Sequence, residues 1–393
     1  MEDRKQKVLI VHNYYQIPGG EDTVVANEKK MLEEHGHKVV LYSRNNSEIK
    51  EMSKLQKLKL PFTTIFNPRT YKDIKKLIKE ENINVVHVHN TLNLISPAVY
   101  YAALSCKVPV VQTMHNFRLL CPGATFYRDI CEDCIQEGLK CAVKHGCYRD
   151  SKAQTLVCVI STILHRMTGI YGKINYICLT EFNKDKLLEL KQIKENQVFV
   201  KPNFTYEPSA KNEQGDFYLF IGRVEDIKGI PVLLKAFKKM PARYLKVIGT
   251  GTRLEKYQQQ QFRNIEFLGY LSRNEIQQLL RKTKAVVVTS QWYETFGMIV
   301  VEAFASGVPV IVGDIGSVGS LVDNRVNGIK FKYDSCESLI CAIEEFETLD
   351  RDVLRENAYR KYKKYFNQDR NYEMIQEIYD EIQDTQSLLT RQS

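Results

Sequence analysis

The 393-residue chain has no run of about 20 apolar residues, the length needed to span a bilayer. Its most apolar piece, Thr155–Leu164 (TLVCVISTIL), is about half that long and is followed by His165 and Arg166. It reads as a buried helix, with a helix lying in a membrane interface as the alternative. The residues up to Lys7 are polar, and Val8–Val11 is too short for the core of an export signal. The expectation is therefore a cytoplasmic protein with peripheral membrane contact open, in which the ten cysteines do not form disulfides. Zinc-finger spacing and aromatic-rich basic ribbons are also missing. The net charge of +9 thus points away from nucleic acid and towards smaller anions, phosphorylated lipids or a membrane surface.

Hydrophobic content of 44% and charged content of 26% suit a globular protein, and the length suits two domains. Short apolar runs at Val8–Val11, Lys38–Ser43, Asn84–His89, Val108–Thr113, Asn175–Leu179 and Gln197–Val200 alternate with helical patterns at Glu21–Glu34, Tyr71–Lys79, Ser96–Ser105 and Glu181–Leu190. That alternation predicts a doubly wound parallel sheet. Ser47–Arg69 shows no clean period and reads as irregular. After Lys201-Pro202-Asn203-Phe204, the polar stretch Thr205–Gly215 reads as a linker. The pattern then restarts at Phe217–Ile221, Leu245–Ile248, Ile265–Leu268, Ala285–Val288 and Val308–Val312. The expected architecture is α/β, with one Rossmann-like domain over 1–204, a second over 215–366, and a terminal amphipathic helix within 367–393.

The most informative stretch is Ala285–Asp314, a strand, polar loop, helix and strand. Ligands bind where such loops leave the carboxyl ends of strands. Thr295, Phe296 and Gly297 lead into the helix, so the amides there form an anion site, and Gly297 lets backbone approach closely. Glu294 would repel a phosphate, so its partner is a neutral hydroxyl; Glu302, on the helix, could take a second pair of hydroxyls such as a ribose. Phosphate plus two sets of hydroxyls describes a nucleotide sugar. Gly222-Arg223 and Lys228 follow the first strand of the second half and could neutralise a diphosphate. In the first half, Gly19-Gly20 precedes a helix after the first strand, and His115 follows the carboxyl end of another. His87 reads as core and His89 as a neighbour of the site.

Glu294-Thr295-Phe296-Gly297, Glu302-Ala303 and Gly307-Val308-Pro309-Val310 resemble the signature of retaining glycosyltransferase family 4, whose members share the GT-B fold: two Rossmann-like domains facing across a cleft. The resemblance implies that Glu294 contacts the donor sugar and Glu302 the nucleotide ribose. It also implies that Gly222-Arg223 with Lys228-Gly229 grips the diphosphate and that the loop at Gly269-Tyr270-Leu271 flanks the base. Gly19-Gly20 resembles the glycine loop between donor phosphate and acceptor. His115-Asn116-Phe117-Arg118-Leu119-Leu120-Cys121-Pro122 is similar to a segment of a bacterial surface-polysaccharide branch, which would make His115 a partner of a donor-sugar hydroxyl. After Asp314, Ile315-Gly316-Ser317 reads as another loop, and here the chain departs from the family, which commonly has a glutamate near Ser320. The implied activity is transfer from a nucleotide sugar to a saccharide or lipid-linked saccharide. With no acidic cluster for magnesium in view, the expectation is catalysis without a metal, Arg223 and Lys228 stabilising the leaving diphosphate. A nucleotide-sugar epimerase or a non-catalytic sensor is the competing reading.

Five cysteines fall between Cys121 and Cys147. The spacing of Cys131 and Cys134 can grip one side of a zinc ion, and Cys121 and Cys147, or Cys141 or His145, could complete a structural site. The alternative is a loop of thiols. Placed after His115, this insert of about 121–150 could cap an acceptor site.

Overall fold

The computed structural model describes residues 4–16, 19–126, 130–208 and 215–392, with side chains to residue 388. The chain divides into two compact units. The first holds 1–125, 132–201 and 372–393; the second holds 126–131 and 202–371. Most of the expected linker, 209–214, lies outside the described residues.

The first unit is built on six parallel strands: β1 (Lys7–Tyr14), β2 (Lys38–Asn45), β3 (Val85–Asn90), β4 (Val110–Thr113), β5 (Asn175–Cys178) and β6 (Val198–Val200). Their order is β2-β1-β3-β4-β5-β6. The direction of winding reverses between β1 and β3, so the loops after these strands diverge there and leave a crevice. Val8, Leu9, Ile10 and Val11 are fully buried, as expected of a strand covered on both faces.

The second unit has six more parallel strands: β7 (Phe217–Ile221), β8 (Tyr244–Ile248), β9 (Ile265–Gly269), β10 (Thr283–Val288), β11 (Val310–Gly313) and β12 (Gly328–Phe331). The order β12-β11-β10-β7-β8-β9 is the doubly wound dinucleotide-fold order, with its switch point between β7 and β10. Its core includes Tyr218, Leu233, Phe237, Val287, Ile311 and Phe346, all fully buried.

Three sequence expectations need correction. Ser47–Arg69 is not irregular: it carries helices Glu48–Glu51 and Lys54–Ile65 and the start of Pro68–Glu81. The cue is a capping box, Ser53 accepting from the Gln56 amide, followed by Asn67 capping the next helix. The apolar period is obscured because Leu55, Leu58 and Phe62 point outward, each 72% exposed. Ile315-Gly316-Ser317 is not all loop, since a short helix spans Gly316–Ser320. Thr155–Leu164 lies in the helix Lys152–Met167, of which only one side is buried; Leu156, Ile160, Ile163, Leu164 and Met167 are exposed. Among the described residues, no helix is long and apolar enough to cross a membrane.

Candidate active site

At the switch point of the second unit, three loops are stitched together by backbone. The Gly222 amide donates to the Ile248 carbonyl (3.0 Å), the Gly249 amide to Gly269 (2.8 Å) and the Val224 amide to Thr250 (3.0 Å). Gly249 has φ +131°, and a Cβ there would stand 1.9 Å from the Gly222 carbonyl oxygen, so only glycine permits this approach. The loop after β7 is tied to the loop after β10 as well: Thr289 Oγ1 donates to the Lys228 carbonyl (2.8 Å) and the Gln291 amide to Ile227 (2.9 Å).

These ties bring Lys228 onto Glu294, Nζ to Oε1 at 2.6 Å, with both side chains more than four-fifths covered. Ser290 Oγ donates to the same carboxylate oxygen. The Lys228 ammonium lies 5.4 Å from the Trp292 ring centre, and the buried Trp292 Nε1–H has no hydrogen-bond partner. Phe296 is buried against Phe366, and Gly297 is the N-cap of the helix Met298–Ala305, whose first amides have no acceptor within the helix. A Cβ on Gly297 would press on Val318, Val300 and Leu321 at 3.1–3.3 Å. Thr295 is half-buried in the same loop. Glu302 is on that helix, half-buried; burial raises its carboxyl above the ordinary value and Arg273 opposes the shift. Arg223 reaches outward to Glu225 (3.1 Å), and Tyr270 stands 81% exposed at the end of β9.

The first unit gathers charge where the sequence showed only single residues. At the carboxyl ends of β1, β3 and β4, the rings of His87 and His89 stack at 4.4 Å, and those of His89 and His115 at 5.1 Å. His89 Nδ1 and His115 Nε2 share a hydrogen bond of 2.8 Å. Beneath them Glu28, 1% exposed, faces His87 Nδ1 (2.9 Å), His89 Nε2 (3.3 Å) and Lys201 Nζ (3.1 Å). Burial by itself would raise Glu28, but His87 and Lys201 outweigh it and hold the carboxyl well below its usual range. Burial pushes His89 down to about 4, and burial followed by His89 holds His115 well below the ordinary imidazole value. Both rings are therefore neutral near pH 7. Gly19 caps the helix Gly20–Glu34, whose Asp22 and Glu21 face the fully buried His12 at 2.8 and 3.8 Å. Burial raises Glu21 to about 8 against a hydrogen bond from Tyr15, with Asp22 adding to the rise.

Glu28 and Lys201 were not anticipated. The signal existed: Glu28 shares the buried stripe of its helix with Val24, Val25, Met31 and Leu32, and a carboxylate on an apolar stripe needs a partner. A cavity of about 60 Å³ opens beside His115, lined by Asn90, Asn116, Arg118, Ser161 and Thr162 among others.

Comparison with known proteins follows the two units. Residues 203–364 match the model for "Glycosyl transferases group 1", and residues 18–132 the model for "Glycosyltransferase Family 4". Over 96% of its length the chain is 25% identical to an uncharacterized glycosyltransferase of Methanocaldococcus jannaschii, covering 99% of that protein. Both models describe glycosyltransferases, one for each part of the chain, and the chain is a glycosyltransferase.

The glycosyltransferase is also 25% identical to an uncharacterized 42.6 kDa protein in the cps region of Klebsiella pneumoniae, with 75% of each chain covered. Its fold matches the crystal structure of Anabaena HepE in complex with UDP and glucose, at TM-score 0.64 and 18% identity over 95% of this chain and 99% of that one. The fold is GT-B.

One expectation is overturned. Catalysis without a metal does not stand, because Glu28, His87 and His89, all buried, place one potential ligand atom each within 4.8 Å of one another. Among the described residues, that is where metal-ligating side chains gather, rather than at Cys121, Cys131, Cys134 and Cys147. Cys134 and Cys141 instead pack with Leu139, Ala142 and Val159, with Cys147 against them, in a small apolar cluster. Thiols serve there as compact hydrophobic side chains.

Proposed function

We propose that this glycosyltransferase moves a sugar, with retention of configuration, from a nucleoside-diphosphate sugar to a saccharide or lipid-linked saccharide in surface-polysaccharide synthesis. One observation carries the reading: the Lys228–Glu294 pair, roofed by Trp292, at the switch point of a sheet in dinucleotide-fold order. In this reading the Lys228 and Arg223 cations and the first amides after Gly297 receive the diphosphate. Gly222 and Gly249 keep backbone low beneath it. Glu294 takes a hydroxyl of the donor sugar, Glu302 the ribose, and Tyr270 lies beside the base. His115 bonds a sugar hydroxyl, and Gly19-Gly20 adjoin donor phosphate and acceptor.

The anomeric carbon–oxygen bond to the diphosphate breaks as the acceptor oxygen bonds to the same face, and the acceptor proton passes to the departing phosphate oxygen. The residues contribute positioning and stabilisation of the leaving-group charge. UDP-sugars are the first donors to test, given the UDP and glucose held by HepE. The cps-region relative supports a capsular setting.

A lipid-linked acceptor implies work at a membrane surface on the cytoplasmic side. The helices Lys54–Ile65 and Lys152–Met167 are joined by a 2.9 Å hydrogen bond from His165 Nε2 to the Ile65 carbonyl. Together they expose Leu55, Leu58, Phe62, Ile160, Ile163 and Met167, with Lys54, Lys57 and Lys59 exposed among them and no acid in the first helix. Apolar side chains framed by lysines suit an anionic lipid surface.

The test is a panel of nucleotide sugars scored for thermal protection, then turnover of the protecting donor with a lipid-linked saccharide extract. Protection by one donor with transfer and retained anomeric configuration is expected. Protection without transfer to any saccharide would favour a binding protein instead.

A further inference from the structure

The same buried group has the makings of a metal centre. A first-row ion sits about 2.0–2.2 Å from nitrogen and oxygen ligands, which places tetrahedral ligand atoms about 3–3.5 Å apart. Glu28 Oε1 lies 2.9 Å from His87 Nδ1 and 3.3 Å from His89 Nε2. Glu28 and His89 are each 1% exposed, yet Glu28 Oε1 and His89 Nε2 make no hydrogen bond, although they face each other. Three buried potential ligand atoms, one from each residue, lie within 4.8 Å of one another, a spacing one shared ion can bridge.

The other atom of each residue is already held. His87 Nε2 meets Thr113 Oγ1 at 2.7 Å, His89 Nδ1 meets His115 Nε2 at 2.8 Å, and Glu28 Oε2 meets Lys201 Nζ at 3.1 Å. Such outer contacts orient metal ligands. The Tyr379 hydroxyl, 2.8 Å from His87 Nδ1, offers a further oxygen.

We propose that Glu28, His87 and His89 hold one divalent ion of the zinc class. The nitrogen and oxygen donor set suits zinc, cobalt or nickel better than magnesium. Lys201 opposes the ion's charge and makes it exchangeable. The ion also sets the tautomer of His115. With His89 Nε2 on the metal, the proton resides on Nδ1 and is donated to His115 Nε2, so His115 carries its own proton on Nδ1. The metal site stands independently of the role proposed for His115 in transfer.

The test titrates chelator-stripped full-length protein with cobalt(II). We expect one equivalent per chain, with ligand-field bands and no thiolate-to-cobalt charge-transfer band, displaced by zinc. Glu28→Gln weakens binding at least about tenfold, Lys201→Met tightens it, and zinc moves the His115 proton from Nε2 to Nδ1 by 15N NMR. Absence of stoichiometric binding, a thiolate band, or wild-type affinity in Glu28→Gln would overturn the proposal. Should Glu28→Gln not fold, the Cys131→Ser/Cys134→Ser variant decides: retained bands support the site, lost bands refute it.

Discussion

Replacing Lys228 by methionine separates a structural ion pair from a functional cation. The pair is short, 2.6 Å, and both side chains are mostly covered, at 19% and 17% exposure. Exposed pairs contribute about 0–1 kcal/mol, and breaking fully buried ones costs about 3–5. An intermediate pair with Ser290 still supporting Glu294 should cost about 2 kcal/mol of stability. That leaves the chain folded at 25 °C if its total stability is an ordinary 5–15 kcal/mol, by order of magnitude. If Lys228 faces the leaving diphosphate, removing it should lower kcat by a further factor of about 10²–10³, the usual loss for one donor to developing charge. Urea unfolding gives the first quantity, and single-turnover transfer from a protecting nucleotide sugar gives the second. Lys228→Arg should recover part of the rate, since the charge is restored with altered geometry. Glu294→Gln isolates the pair: if Lys228 acts only through Glu294, the double variant is no slower than Glu294→Gln. A Lys228→Met enzyme within about threefold of wild-type turnover, well under 1 kcal/mol of barrier, together with the expected stability loss, would refute the assignment.

Stability should depend on pH through Glu21. Its carboxyl is raised from 4.5 to about 8 by burial, so the unfolded chain ionises first; the full stability is present below about 4.5 and is lost as pH rises through about 8. The gap sets a ceiling of about 5 kcal/mol, and Glu21→Gln should be more stable than wild type at pH 9 but not at pH 4. A difference in urea midpoint that is flat with pH would contradict this. Gly249→Ala, forced against the Gly222 carbonyl, should destabilise by about 3 kcal/mol or more and weaken donor binding. Gly138→Ala, at φ +98° with nothing within 4 Å, should cost about 1–2 kcal/mol in a thermal melt and leave donor affinity alone. Reversing Lys54, Lys57 and Lys59 to glutamate should abolish co-sedimentation with anionic vesicles, and raised salt should weaken wild-type binding; equal binding by both proteins would dismiss the membrane surface.

The local grammar of the chain was readable in advance. Val8–Val11, Phe217–Ile221 and Val308–Val312 announce buried parallel strands because a strand covered on both faces must be apolar throughout, and β1, β7 and β11 lie there. The polar loop Thr289–Gly297 and the apolar stretch after it announce a helix start, and Gly297 is the N-cap of the helix Met298–Ala305. Strand β12 and the helices Cys336–Thr348 and Arg351–Tyr365 went unread, the last because its 15 residues are mostly polar with a weak apolar stripe.

Pairings across distance required the folded chain. Lys228 meets Glu294 only because β7 and β10, 66 residues apart at these positions, are neighbours at the switch point. Glu28, His87 with His89, His115 and Lys201 come from four separate places in the sequence. None of them by itself announces the others, and only the juxtaposition of β3, β4, the end of β6 and the first helix makes them one buried charged group. Sequence sets residue type and local period. The close contact of charges, and with it burial, protonation and the capacity for metal, is decided by which strands lie side by side.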